Sequence, residues 1–133
     1  MKIYDCFTFY NELDLLEFRL KELYDHVDHF VLVEANTTYT SIPKEFLFEK
    51  NKDRYAQWAD KIIHVKVEDM PNSPDAWVND RFQRDQIYRG IVDADDNDLI
   101  MVSTQYAVPL EYLANALRKI NSSDFAKKYS GRE

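Results

Sequence analysis

Short apolar runs alternate along this chain with longer segments in which apolar residues recur every three or four positions. Ile3 to Phe9 is apolar and aromatic and predicts a first strand. In "YNELDLLEFRLKELYDHVDHF", Leu16, Leu20, Leu23 and Val27 recur at helical spacing, which predicts a helix from Glu12 to His26. Asn11 is the expected N-cap, Asp14 suits the first turn, and Glu17 and Lys21 can pair one turn apart. "HFVLVEAN" is too short and too β-branched for another helix and predicts a buried second strand. After a polar, turn-like stretch from Asn36 to Pro43, a helix is expected over Asp53 to Ala59, and "KIIHVKV" reads as a third strand. "EDMPNSPD" is a loop held by two prolines, and "AWVNDRFQRDQIYRGIV" predicts a helix ending near Gly90. "DLIMVS" is a fourth strand, Pro109 starts a last helix through Ile120, and residues 121–133 form a polar tail.

Two buried strands joined by a helix make a right-handed βαβ unit and therefore a parallel sheet. The order βαβ(α)βαβα predicts one α/β domain over residues 1–120, an open, mostly parallel sheet of Rossmann type. Ligands of such sheets bind beyond the carboxyl ends of the strands, near the switch in strand order. Those places are Thr8 to Glu12, Glu34 to Tyr39, Glu68 to Asp75 and Ser103 to Pro109.

Composition narrows the partners. With 133 residues the chain can bury over ~60% of its unfolded surface, and 45% hydrophobic and 14% aromatic content excludes a disordered chain. A formal charge of -7 repels a phosphate backbone, so nucleic acid is not the expected partner. Cys6 stands alone and reads as a small buried apolar residue. With no apolar signal core and no run near the ~20 residues of a membrane span, a soluble, cytoplasmic protein is expected, with no membrane partner. Sequons at Asn36 and Asn121 matter only in a secretory lumen.

Gly90 and Gly131 are the only glycines, so no glycine-rich phosphate cradle follows the first strand, and dinucleotide and Walker-type binding are excluded. In the helix after the proline loop, Trp77, Arg81, Arg84, Tyr88 and Ile91 form one stripe in which two arginines interrupt an apolar face. Such arginines either snorkel and pair with Asp80 or Asp85, or reach a diphosphate at the sheet edge. Glu34 closes the second strand, where a carboxylate can accept from a ribose hydroxyl or a base N–H. His26, His29 and His64 do not have the spacing of a metal set, and no Ser/His/Asp constellation follows from spacing.

"FTFYNELDLLEFRLKELYDHVDHFVLVEANTTYT", "KIIHVKVEDMP", "AW" with "RFQRDQIYRGI", and "DDNDLIMVS" followed by "VP" together resemble glycosyltransferase family 17. That is the family of β-1,4-mannosyl-glycoprotein N-acetylglucosaminyltransferases and their bacterial and viral relatives. The similarity runs from Lys2 to Asn115. It implies a GT-A type nucleotide-diphospho-sugar fold, UDP-N-acetylglucosamine (UDP-GlcNAc) as donor, a glycan acceptor of unknown identity, and a divalent metal, manganese or magnesium, on the diphosphate. By position, Phe9, Asn11, Glu12 and Glu34 would line the uridine, and Arg84 and Asp85, with Arg81 beside them, would face the ribose and diphosphate.

One motif departs. Where the family carries S-D-x-D-E-I-P after the fourth strand, this chain reads Ser103, Thr104, Gln105, Tyr106, Ala107, Val108, Pro109. Thr104, Tyr106 and Ala107 replace three carboxylates, and a hard cation needs oxygen ligands, preferably anionic. Losing that contact raises the barrier by ~3 kcal/mol or more, at least about a hundredfold in rate. Asp93, Asp95, Asp96 and Asp98 do not substitute, because they precede the strand and lie roughly 17–20 Å from its far end. Family members continue into a second half that shapes the acceptor site and supplies a base, and that half is expected to be missing here. Two readings follow: a glycosyltransferase-family protein whose metal ligands come from a partner or another subunit, and a non-catalytic pseudoenzyme that binds a sugar nucleotide, a glycan or a protein. A homodimer is the expectation if the face of the missing half is exposed and apolar.

Overall fold

A computed structural model of the chain describes residues 1–104. Four strands, β1 (Ile3–Phe9), β2 (His29–Ala35), β3 (Ile62–Val67) and β4 (Leu99–Thr104), form one sheet in the order β3-β2-β1-β4. Every pairing is parallel, with Cys6 opposite both Val31 and Val102. The chain steps outward from β1 to β2 to β3 and then returns to the other side of β1, so the strand order reverses between β1 and β4. This is the α/β architecture expected from the sequence.

Side-chain alternation divides the core into two layers. Phe7, Phe9, Phe30 and Leu32 point to one face, where they meet Leu16, Leu20 and Leu23 of α1 (Leu13–Leu23) with Phe48, Tyr55 and Trp58. Tyr4, Cys6, Val31, Val33, Val65 and Val67 point to the other and meet Met70 and Ile87. Both faces of β2 are covered, which explains its unbroken apolar run. Ile87 belongs to a 3₁₀ turn, Gln86–Gly90, that continues α3 (Ala76–Asp85). Gly90 packs so closely on β2 that an added Cβ would lie 2.4 Å from Val31 Cγ1.

Several expectations need correction. α1 stops at Leu23, and its N-cap is Glu12, not Asn11, with no side-chain capping bond. Glu17 pairs with Arg54 across the fold rather than with Lys21. The link before β3 is a single helical turn, α2 (Leu47–Lys50), followed by a 3₁₀ stretch, Lys52–Lys61, broken at Tyr55. The helix expected from Pro109 to Ile120, the tail, and Gln105, Tyr106 and Ala107 lie outside the described residues. Among the described residues, no helix is long and apolar enough to cross a membrane.

Candidate functional site

The carboxyl edge of the sheet is built by the segments that leave β1, β2 and β3. After β1, the Glu12 carboxylate folds back on its own loop, accepting from the backbone N–H of Asn11 at 3.2 Å and of Tyr10 at 3.3 Å. An open cavity of about 520 Å³ lies beside this loop, lined by Asn11, Glu12, Leu13, Asp14, Leu15 and Arg54. Arg54 is held there by Asp14 and Glu17.

After β2 the chain makes a tight hairpin from Asn36 to Lys44. Thr37 bridges Pro43, Lys44 N–H donates to Asn36 O at 2.9 Å, and Ser41 takes the left-handed φ of 67° that the turn requires. Lys44 Nζ closes the base by donating to Ala35 O and Glu45 O, 3.7 Å from Glu34. Burial of the Lys44 ammonium pulls its pKa below the ordinary lysine value, against the opposing pull of Glu34.

α3 ties these segments together with uncharged polar side chains. Asn79, fully buried, accepts from Ser73 N–H and donates to Ser73 O and to Tyr39 O at 2.8 Å. Gln83 donates to Val33 O at 3.0 Å and more weakly to Phe9 O. Gln83 therefore fixes this turn of α3 at the level where β1 ends. Its neighbour Arg84 donates to Asp80 at 3.1 Å with its side chain 43% exposed. Burial pushes the Tyr39 pKa above its usual value.

Only part of the residue set expected from the sequence meets at this edge. Asn11 and Glu12 line the cavity, and Arg84 follows Gln83, whose amide reaches Phe9 O at the end of β1. Phe9 does not line a loop: it is the last residue of β1, 1% exposed, and its ring lies in the core under α1. Glu34 is the penultimate residue of β2 but is fully buried, with Oε2 taking the Phe48 N–H and Oε1 lying 3.0 Å from His64 Nε2. The stripe of Trp77, Arg81, Arg84 and Tyr88 faces solvent instead of interrupting a core face, and Asp85 is exposed with it. The buried face of α3 is Asn79, Gln83, Gln86 and Ile87. Its spacing of four, three and one was visible in the sequence, but aromatic residues outweighed amides in choosing the face. Amides win here because four strand and loop carbonyls, of Phe9, Val33, Tyr39 and Ser73, take their N–H donors.

The described residues do not fit a divalent metal. No three His, Cys, Asp or Glu side chains among them converge on a cation position. His64 is taken by Glu34, the His29 ring packs at a tilt against Tyr4, and His26 is exposed. The Ser103 hydroxyl, at the start of the altered motif, is engaged by Arg19. The acidic turn sits at the amino end of β4, where Asp98 accepts from the backbone N–H groups of Asp95 and Lys2.

The family model for glycosyltransferase family 17 matches residues 1–126. The chain belongs to that family. Neither a curated protein nor a solved structure matches it. Family 17 membership agrees with the all-parallel α/β sheet and makes a nucleotide-sugar donor and a glycan acceptor the ligand classes to consider at the carboxyl edge.

Proposed function

We propose that this family 17 domain binds a UDP-sugar, UDP-GlcNAc first, in the crevice between the carboxyl ends of β1 and β4, and does so without efficient glycosyl transfer. Arg84 meets the diphosphate with Arg81 one turn away, and the Asn11–Glu12 loop meets the nucleoside. The observation that carries this reading is Arg84: next along α3 from Gln83, whose amide reaches the Phe9 carbonyl at the end of β1, half exposed, and bonded to a single carboxylate oxygen that a phosphate can replace.

Transfer would require the sugar–phosphate bond to break with charge developing on the departing diphosphate. In the family that charge is met by a metal held on carboxylates, and Thr104, Tyr106 and Ala107 offer none. Arginines alone bind the diphosphate in the ground state as well as in the transition state, which aids affinity more than rate.

Calorimetry with UDP-GlcNAc, with and without manganese, tests both halves. Binding that is indifferent to manganese, with no release of UDP, is expected. Metal-dependent binding with turnover would refute the non-catalytic half, and no heat under either condition would refute the donor site.

A further inference from the structure

Among the described residues β4 is an edge of the sheet, and its two faces are unequally covered. Leu99 and Met101 pack into the layer under α1. On the other face Ile100 and Val102 stand opposite Tyr4 and Cys6 of β1. Tyr4 and Cys6 are buried there and Ile100 reaches the same layer, but Val102 is 51% exposed. α3 and the Gln86–Gly90 turn pack on this face against β1, β2 and β3. Strands of a parallel sheet are ordinarily covered on both sides, so an apolar strip on β4 calls for a cover.

The chain leaves β4 at Thr104, and residues 105–133 lie outside the described residues. Behind Pro109, Leu110, Leu113, Leu117 and Ile120 recur at spacings of three, four and three, while Glu111, Asn115, Arg118 and Lys119 fall on the opposite side of a helical projection. We propose that residues 109–120 form a helix that runs back antiparallel to β4 and seats this apolar stripe on Ile100 and Val102. The lengths agree. Residues 105–108 reach up to ~13 Å, enough to cross the ~10 Å between packed layers. Val102 and Ile100 are about 6.6 Å apart along the strand, and Leu113 and Leu117 about 6 Å apart along a helix, so Leu113 meets Val102 and Leu117 meets Ile100. A right-handed connection that continues outward past β4 returns over this same face. A cover tethered by four residues acts at about millimolar effective concentration or above, which favours it over a second copy of the chain. This packing does not depend on what the carboxyl edge binds.

Cysteine chemistry on the full chain tests it, since Cys6 is buried. Oxidation of the Val102→Cys, Leu113→Cys variant should give a disulfide within one chain, seen as a faster-migrating monomer. The Val102→Cys, Asn115→Cys pair, with its second thiol on the far side of the helix, should not. Equal yields from the two pairs, or none from either, overturn the docking. A disulfide between chains from the first pair also overturns it and assigns the strip to a second copy. The single Val102→Cys variant gives an independent reading. Its reaction with a maleimide should be slow and should speed by about tenfold or more when Leu113→Asp and Leu117→Asp are added, with Cys6 still unreactive as the sign of an intact sheet. Equally fast reaction in both backgrounds overturns the proposal.

Discussion

Arg19 of α1 donates from Nε and Nη2 to the Asp5 carboxylate of β1 at 2.8 and 2.6 Å, and neither side chain is more than 2% exposed. The same Nη2 reaches Ser103 Oγ on β4 at 2.7 Å, and the guanidinium lies 4.4 Å from the centre of the Phe7 ring. One buried cation therefore joins α1 to both strands that flank the reversal in strand order.

Breaking this pair from one side leaves a charge buried alone. Arg19→Met should cost ~3–5 kcal/mol, whereas removing the single hydroxyl in Ser103→Ala should cost ~1 kcal/mol. Urea denaturation measures both. A combined Arg19→Met, Asp5→Leu variant should recover much of the loss, since an apolar pair carries no desolvation penalty. No recovery would mean that the site matters for packing rather than for charge.

The sheet was legible because strands covered on both faces must be continuously apolar, and "CFTF", "FVLV" and "IIHVKV" are nearly so. The helices between them fixed parallel pairing. Arg19 was not legible: it sits among leucines at a position where a long charged side chain ordinarily reaches solvent, and only the fold brings it over Asp5. Glu34 lies one residue before the end of β2, close to the expected strand end, but sequence does not say that the α2 turn closes over it. The polar face of α3 was missed because Asn79 and Gln83 are buried by their hydrogen bonds to carbonyls that only tertiary structure supplies.

Gly90 offers a test of close packing. A methyl group there would meet Val31 Cγ1 at 2.4 Å and Val65 Cγ2 at 3.2 Å, both on strands that cannot recede. Gly90→Ala should lower stability by ~1–3 kcal/mol. Adding Val31→Ala makes room, so the double variant should be more stable than the sum of the two single losses predicts. Additive losses would show that the backbone, not the valine, sets the limit.

Asp98 predicts a pH dependence with a definite sign. Backbone N–H groups of Asp95 and Lys2 hold its carboxyl below the ordinary value of 3.8. The unfolded chain therefore takes up this proton first as pH falls. The stability contributed is complete above 3.8 and is lost as pH drops through the folded-state value. In Asp98→Asn, urea midpoints followed from pH 7 downward should start lower and converge on those of the unaltered chain in acid. A difference that stays constant with pH would assign the Asp98 effect to shape instead of charge.

The altered motif after β4 can be given back its charge. Thr104 ends β4, and Tyr106 follows two residues later, matching the spacing of the paired aspartates in the family motif. Hard cations bind where anionic oxygens converge, and a metal seated there would share its ligands with a diphosphate. Thr104→Asp with Tyr106→Asp should therefore make UDP binding manganese-dependent, with a gain of about tenfold or more on adding the metal, ~1.4 kcal/mol. The unaltered chain is the control, since its UDP affinity should not respond to manganese. A double variant that keeps its circular dichroism and thermal transition yet ignores manganese would show that residues 103–109 do not occupy the family's metal-binding slot, and the case for a catalytically silent donor site would lose its chemical basis.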